Sequence, residues 1–140
     1  MSDPVVDAAR SFLGTPYRHQ ASLKGVGCDC LGLVRGVWRE LYGAEPEASG
    51  PYTPDWAERG GGEPLLEAAR RHFTAINPRE ALPGDLLVFR WRTGSAAKHC
   101  GILDADLRLI HAYEGAAVVS SPLGSAWARR IAGAFRFPEM

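Results

Sequence analysis

The sequence predicts an α+β fold, with N-terminal helices packed on an antiparallel β-sheet of about five to six strands. Three observations lead there. Apolar residues up to about position 70 recur at helical spacing, whereas those from position 74 onward fall in short runs of strand length. The connections in the second half are short and carry turn chemistry. Helices precede strands instead of alternating with them, which argues against a parallel, doubly wound sheet. The chain has 140 residues, 46% of them hydrophobic and 23% charged. That suits one domain over residues 1–140 with one core. No internal repeat is visible.

Asp3-Pro4 is a helix start, Asp as N-cap and Pro at the first helical position. Val5, Ala9, Phe12 and Leu13 follow at helical spacing, and Gly14 closes the element. Residues 15–27 read as a loop. A second helix begins near Cys30, with Leu33, Val34, Val37, Trp38 and Leu41 as its apolar stripe and Gly43 at its end. Residues 44–63 are rich in Pro, Gly and Glu and read as a long surface loop, either a lid or a docking surface. Glu63-Pro64 opens a short third helix through Arg70. Strands follow at 74–76, 86–91, 99–103, 107–113, 117–121 and 131–137, with turns at Pro83-Gly84-Asp85, Gly94-Ser95, Asp104-Ala105-Asp106 and Glu114-Gly115.

Sixteen basic and sixteen acidic residues cancel. A zero balance gives no electrostatic case for nucleic acid or an anionic membrane. No run approaches the roughly 20 apolar residues of a membrane span. The N-terminus MSDPVVDAAR lacks the charged and apolar regions of a secretory signal, so synthesis in a cytoplasm is expected. Three cysteines, Cys28, Cys30 and Cys100, do not make a disulfide framework.

The densest chemical signal is Gly27-Cys28-Asp29-Cys30-Leu31-Gly32-Leu33-Val34. It puts Cys30 at the start of an amphipathic helix. There the dipole and unsatisfied N–H groups stabilise a thiolate and can hold an oxyanion. Gly32 is expected to leave room for a substrate. His99 and His111 lie on consecutive strands, symmetric about residue 105, so a hairpin folded there sets the two imidazoles side by side on one face. One can act as base while the other holds it in the right tautomer. The same residues, Cys28, Cys30, His99, Cys100 and His111, also offer zinc ligands. But Cys-x-Cys with His-Cys is not a common zinc pattern, and neighbours on a strand point to opposite faces. No metal or other cofactor is expected. Asp29 has an N-cap role available beside substrate contact; Tyr17 is either core or substrate contact. Cys28 and Cys100 read as bystanders, His19 and His72 as surface residues, and Asp85 as a turn stabiliser.

At this point the sequence resembles the NlpC-type, papain-like cell-wall peptidases. Asp29-Cys30-Leu31-Gly32-Leu33-Val34 resembles their Asp-Cys-x-Gly-Leu-Val motif, and His99-Cys100-Gly101-Ile102 their His-x-Gly-Ile motif. Leu109-Ile110-His111-Ala112 is similar to their Ile-His-Ala motif. Gly14-Thr15-Pro16-Tyr17 and Pro83-Gly84-Asp85-Leu86 match two further segments. The resemblance implies a cysteine-bearing helix packed on a sheet that carries the histidines. It implies hydrolysis of peptidoglycan stem peptides, typically between D-γ-glutamate and diaminopimelate. Cys30 would be nucleophile, His99 base and His111 the orienting residue, with Tyr17 and Asp29 lining the site. Leu31 departs from the small residue usual there, and Tyr17-Arg18-His19-Gln20-Ala21 from the usual Tyr-x-x-Gly-Gly. Tyr-Arg-His-Gln and the segment Val37-Trp38-Arg39-Glu40-Leu41-Tyr42-Gly43 resemble the subgroup encoded with phage tails and gene-transfer agents. That subgroup implies a tail hub or baseplate partner, a virion or tail location, and action in the periplasm and wall. The competing readings are a structural tail-tip protein of little activity, and acyl transfer or deamidation by the same Cys–His pair.

Overall fold

In the computed structural model, which describes residues 3–46 and 62–139, the first helix begins where its cap predicts. Asp3 accepts hydrogen bonds from the Val5 and Val6 amides, and Pro4 opens α1 (Pro4–Ser11). Helix α2 (Cys30–Tyr42) starts at the cap Asp29 and stops at Gly43, whose φ of +91° suits glycine. The two helices touch closely because residue 36 is glycine: a Cβ there would strike the Phe12 ring. Helix α3 (Pro64–His72) buries Leu65, Leu66 and Ala69. Most of the expected 44–63 loop, positions 47–61, lies outside the described residues.

Six strands form one sheet: β3 (Thr74–Ile76), β4 (Leu86–Phe89), β5 (His99–Asp104), β6 (Arg108–Ala112), β7 (Val118–Pro122) and β8 (Ile131–Arg136). Their order is β3-β8-β4-β5-β6-β7, and every pairing is antiparallel. The α+β class and the helix-on-antiparallel-sheet architecture are therefore as the sequence predicts. Two elements depart from the expectation. Part of the 15–27 loop is a small hairpin of β1 (Ser22–Leu23) and β2 (Gly27–Cys28), unforeseen because two-residue strands carry no readable alternation. A one-turn helix, α4 (Ser125–Ala128), fills the connection before β8.

Alternation along the strands sorts the core into two faces. Val88, Cys100, Ile102 and Ile110 face the helices, against Ala9, Phe12, Leu33, Val37 and Leu66. Leu87, Phe89, Leu103 and Leu109 point the other way, where Leu123, Trp127 and Ile131 cover them. Among the described residues no helix is long and apolar enough to cross a membrane.

The β5–β6 register corrects the expected hairpin. Ile102 pairs with Ile110, Leu103 with Leu109 and Asp104 with Arg108, so the turn centres on residue 106, not 105. Its residues Asp106 and Leu107 take φ values of +59° and +53°. The register thus differs by two residues from the one that pairs His99 with His111. A shift of two preserves the face, where a shift of one would have reversed it. The two histidines are diagonal neighbours on the same face instead of direct partners.

Candidate active site

Cys30 is the first residue of α2, and its surroundings follow from Asp29. The Asp29 carboxylate is buried, accepting from the Gly32 amide at 2.7 Å on one oxygen and from the Gln20 amide at 2.7 Å on the other. It ties the 15–21 segment to the helix start. The Leu33 amide donates to the Asp29 carbonyl. The Cys30 and Leu31 amides have no acceptor within the helix, so they are the donors left at its N-terminal end. Gly32 does not serve substrate approach as expected. A Cβ there would run into the Ala21 carbonyl, so the space is already taken by the chain itself.

The histidines come from the opposite face of the sheet. His99 is the first residue of β5, so its ring meets the helix end where the strand begins. The Cys30 thiol lies 3.8 Å from the Lys98 carbonyl, one residue earlier. His99 Nε2 and His111 Nδ1 are 2.8 Å apart, and His111 Nε2 is 2.8 Å from Ser121 Oγ. Gly101 makes this possible: a Cβ there would sit 2.9 Å from the His111 Cβ and 2.8 Å from the Leu109 side chain. The His-x-Gly spacing thus has a steric cause in the neighbouring strand.

A cleft of about 550 Å³ joins the two halves; Tyr17, Asp29, Cys30, Trp91, Lys98 and His99 are among its lining residues. The predicted site residues Cys30, His99, Tyr17 and Asp29 all face it, and His111 stands directly behind His99. Tyr17 is half-buried, and burial, with the Cys30, Asp29 and Glu114 charges, pushes its phenol well above the usual range. The phenol stays a neutral donor.

The three thiols differ sharply. A hydrogen bond from Cys100 and, against the cost of burial, the bond and charge of His99 lower Cys30 to about 5. Burial pushes Cys28 up to about 12. Cys100 is raised well above the ordinary value, first by its bond to Cys30 and then by burial. The Cys100 thiol also lies 3.5 Å from the Cys30 carbonyl. Cys100 therefore donates to the Cys30 carbonyl and braces that backbone, where its sequence suggests a bystander. His111 is lowered to about 4, first by burial and then by the neighbouring His99. It stays neutral, so His111 Nδ1 can accept from His99 Nε2–H. The other His99 nitrogen, Nδ1, is left for the sulfur. This arrangement can generate a thiolate–imidazolium pair.

Several members of the site escaped the sequence reading. Trp91 stacks on His99 with ring centroids 5.2 Å apart. Trp127 of α4 lies 5.6 Å from His99 and 5.1 Å from His111. His19 is exposed, as the sequence suggests, and also borders the cleft with its Nδ1 3.9 Å from Asp29. Lys98, Tyr113 and Glu114 line it too. The only signal for the tryptophans was their position beside turns, which does not separate site from core. His99 and Cys100 point to opposite faces, as strand alternation requires. Among the described residues no group of three His, Cys, Asp or Glu is placed to hold a metal ion.

Residues 14–136 match the sequence model of the NlpC/P60 family. Among curated relatives, the probable endopeptidase NlpC of Escherichia coli K12 is 30% identical over 121 residues, which cover 86% of this chain and 68% of the relative. The gamma-DL-glutamyl hydrolase of Bacillus subtilis 168 is 29% identical over 98% of this chain and 30% of its own length. A NlpC/P60 family protein from Bacillus cereus ATCC 10987 superposes with a TM-score of 0.70 at 24% identity, over 98% of this chain and 40% of that one. The NlpC/P60 domain of the peptidoglycan hydrolase SagA gives a TM-score of 0.64 at 24% identity, over 97% of this chain and all of that domain. These two structural likenesses concern the fold. The chain spans about two thirds of the Escherichia coli relative but well under half of the Bacillus subtilis and Bacillus cereus proteins.

Proposed function

The chain belongs to the NlpC/P60 family, and from that premise we propose that it is a cysteine peptidase hydrolysing peptidoglycan stem peptides, with Cys30 as nucleophile, His99 as base and His111 as orienting residue. The observation that carries this reading is one cleft lined both by Cys30, at the first turn of α2, and by His99, whose Nε2 lies 2.8 Å from His111 Nδ1. The thiolate attacks the acyl carbonyl. The oxyanion is met by the Cys30 and Leu31 amides at the helix start. His99 Nδ1–H protonates the leaving amine, and neutral His99 then takes a proton from the water that releases the acyl group from sulfur.

The bond we propose is the one between D-γ-glutamate and diaminopimelate; the likeness to a gamma-DL-glutamyl hydrolase supports it. Tyr17 contributes a hydroxyl to substrate contact, while Asp29, with both oxygens engaged by backbone, chiefly sets the helix start. We further propose that residues 1–140 act as one catalytic domain carried on a phage-like or gene-transfer-agent tail, beside a hub or baseplate subunit, and open the wall during delivery. The Tyr17–Gln20 and Val37–Gly43 stretches support that location. Detection of the chain by mass spectrometry in purified particles tests it; particles without the chain refute it.

The test of the activity is mass spectrometry of purified muropeptides incubated with wild type and with Cys30→Ala. Cleavage at the D-glutamate–diaminopimelate bond by wild type alone is the expected result. Equal cleavage by Cys30→Ala removes the nucleophile assignment. Intact muropeptides with folded wild type turn the reading to a structural tail-tip protein. Transfer to an added amine in place of water turns it to acyl transfer.

A further inference from the structure

The hydrogen-bond chain does not end at His111. It continues to Ser121, two strands away from His99, and we propose that Ser121 is a positioning residue of this catalytic centre, its hydroxyl accepting His111 Nε2–H and so keeping His111 Nδ1 free to accept from His99. The inference goes beyond the proposed activity but rests on its Cys30–His99 assignment.

Geometry carries it. His111 pairs with Val119 and Leu109 with Ser121 across β6 and β7, so Ser121 is the diagonal neighbour of His111 on the face that holds both histidines. The step from β5 to β6 and the step from β6 to β7 repeat the same diagonal, each closing a contact of 2.8 Å. Three side chains on three adjacent strands thus form one line leading away from the sulfur.

The line also has a held end. Ser120, pointing to the other face, is gripped by Arg108, whose Nε donates to Ser120 Oγ and whose Nη2 donates to the Ser120 carbonyl, both at 2.8 Å. This clamp fixes β7 one residue from Ser121, where a free edge strand would otherwise fray.

Proton bookkeeping gives the hydroxyl its role. The reactive ion pair needs His99 protonated on both nitrogens, Nδ1–H toward sulfur and Nε2–H toward His111. His111 must then be bare at Nδ1 and protonated at Nε2, and that buried N–H needs an acceptor. If Ser121 instead donates to Nε2, the His111 proton sits on Nδ1 and faces His99 Nε2. His99 is then confined to the neutral form with its proton toward the sulfur, and cannot take one from the thiol. The groups facing His111 are His99 from β5, Tyr113 just past the end of β6, Ser121 from β7 and Trp127 from α4. None of them carries a negative charge, so the Nε2–H has only a neutral acceptor. Charge on Cys30 is shaped by Asp29, His99 and Cys100.

Three measurements test this. Long-range proton–nitrogen NMR of imidazole-labelled wild type at pH 7 is expected to find the His111 proton on Nε2; a proton on Nδ1 overturns the proposal whatever any variant does. Ser121→Ala is expected to lose about tenfold in kcat/KM on muropeptide, as supporting partners of reactive groups typically do. Its Cys30 alkylation midpoint, followed by peptide mass spectrometry, is expected to move up. Ser121→Thr, which keeps the hydroxyl, is expected to stay within about twofold of wild type on both readouts. An unchanged alkylation midpoint in Ser121→Ala, or equal damage in Ala and Thr variants, refutes the role. The NMR and alkylation readouts need no substrate, so they stand apart from any failure of the peptidase reading.

Discussion

Cys30 and His99 meet in one cleft but owe their positions to different parts of the chain. Nearly everything that shapes the cysteine end lies within residues 17–32: the Asp29 cap, the Gln20 and Gly32 amides it binds, and the Ala21 carbonyl that demands Gly32. The histidine end is assembled across β4, β5, β6, β7 and α4, and its contacts depend on strand register. The first is built by a local motif that survives small errors elsewhere. The second depends on tertiary packing, and a one-residue slip of β6 against β5 would put the two imidazoles on opposite faces. Cys100 links the two, since it sits on β5 beside His99 yet donates to the Cys30 carbonyl.

The largest break in this pairing is His99→Ala. It removes the proposed base and the second support of the thiolate, so kcat/KM is expected to fall about 10²–10⁴-fold. The Cys30 alkylation midpoint, expected near 5 in wild type, should rise toward that of an ordinary thiol because a stabilising cation is gone. A midpoint that stays near 5 would mean that the helix end alone makes the thiolate, and that the two halves are not electrically coupled.

His111→Asn comes next. The amide can still accept from His99, so the expected loss is roughly 10–10²-fold. This variant also isolates a pH effect. His111 in the fold titrates near 4, below its ordinary 6.5, so the unfolded chain binds more protons between those values. Stability from this group is present above about 6.5 and is lost as pH falls through 4. Cys30 acts in the same direction over its own window: the fold holds a thiolate above about 5 where the unfolded chain holds a thiol up to about 9. Urea midpoints of wild type should therefore fall as pH drops from 6.5 to 4, and fall less steeply in His111→Asn. Parallel slopes would show that His111 is not held neutral by burial.

Cys100→Ala probes the link itself. Losing the S–H donor should move the Cys30 midpoint up and reduce activity by about 3–10-fold, with Cys100→Ser recovering part of both. If alanine and serine behave alike, Cys100 contributes packing and not a hydrogen bond.

The same division explains what could be read in the sequence. Local signals located α1, α2, α3 and six strands, because Asp3-Pro4, Asp29, Gly43 and the Gly and Asp turns mark ends within a few residues. They located Cys30 for the same reason. The His99–His111 face was also legible, since its parity survives a two-residue register error. What remained hidden has no local signature. Trp91, Trp127 and Ser121 join the site only once β4–β5, β6–β7 and the α4 turn are in register, and Cys100 was misjudged because its partner is 70 positions away. His19 is exposed, as its sequence suggests, and borders the cleft because Asp29 folds the 15–21 segment over it.

Asp29→Asn gives the smallest effect and the clearest sign. Its negative charge raises the Cys30 thiol, opposing His99 and Cys100, so removing it should move the alkylation midpoint down, opposite to the two preceding thiolate variants. The asparagine oxygen can still accept one amide, either Gly32 or Gln20, but not both. The lost charge-assisted cap should cost about 1 kcal/mol of stability, read as a lower urea midpoint. A more acidic thiol is also a weaker nucleophile, so more thiolate need not mean faster hydrolysis. If the midpoint rises instead, then Asp29 supports the thiolate by placing the helix end, and this positional effect outweighs its charge. That result would make the cysteine end, like the histidine end, dependent on its anchoring partner.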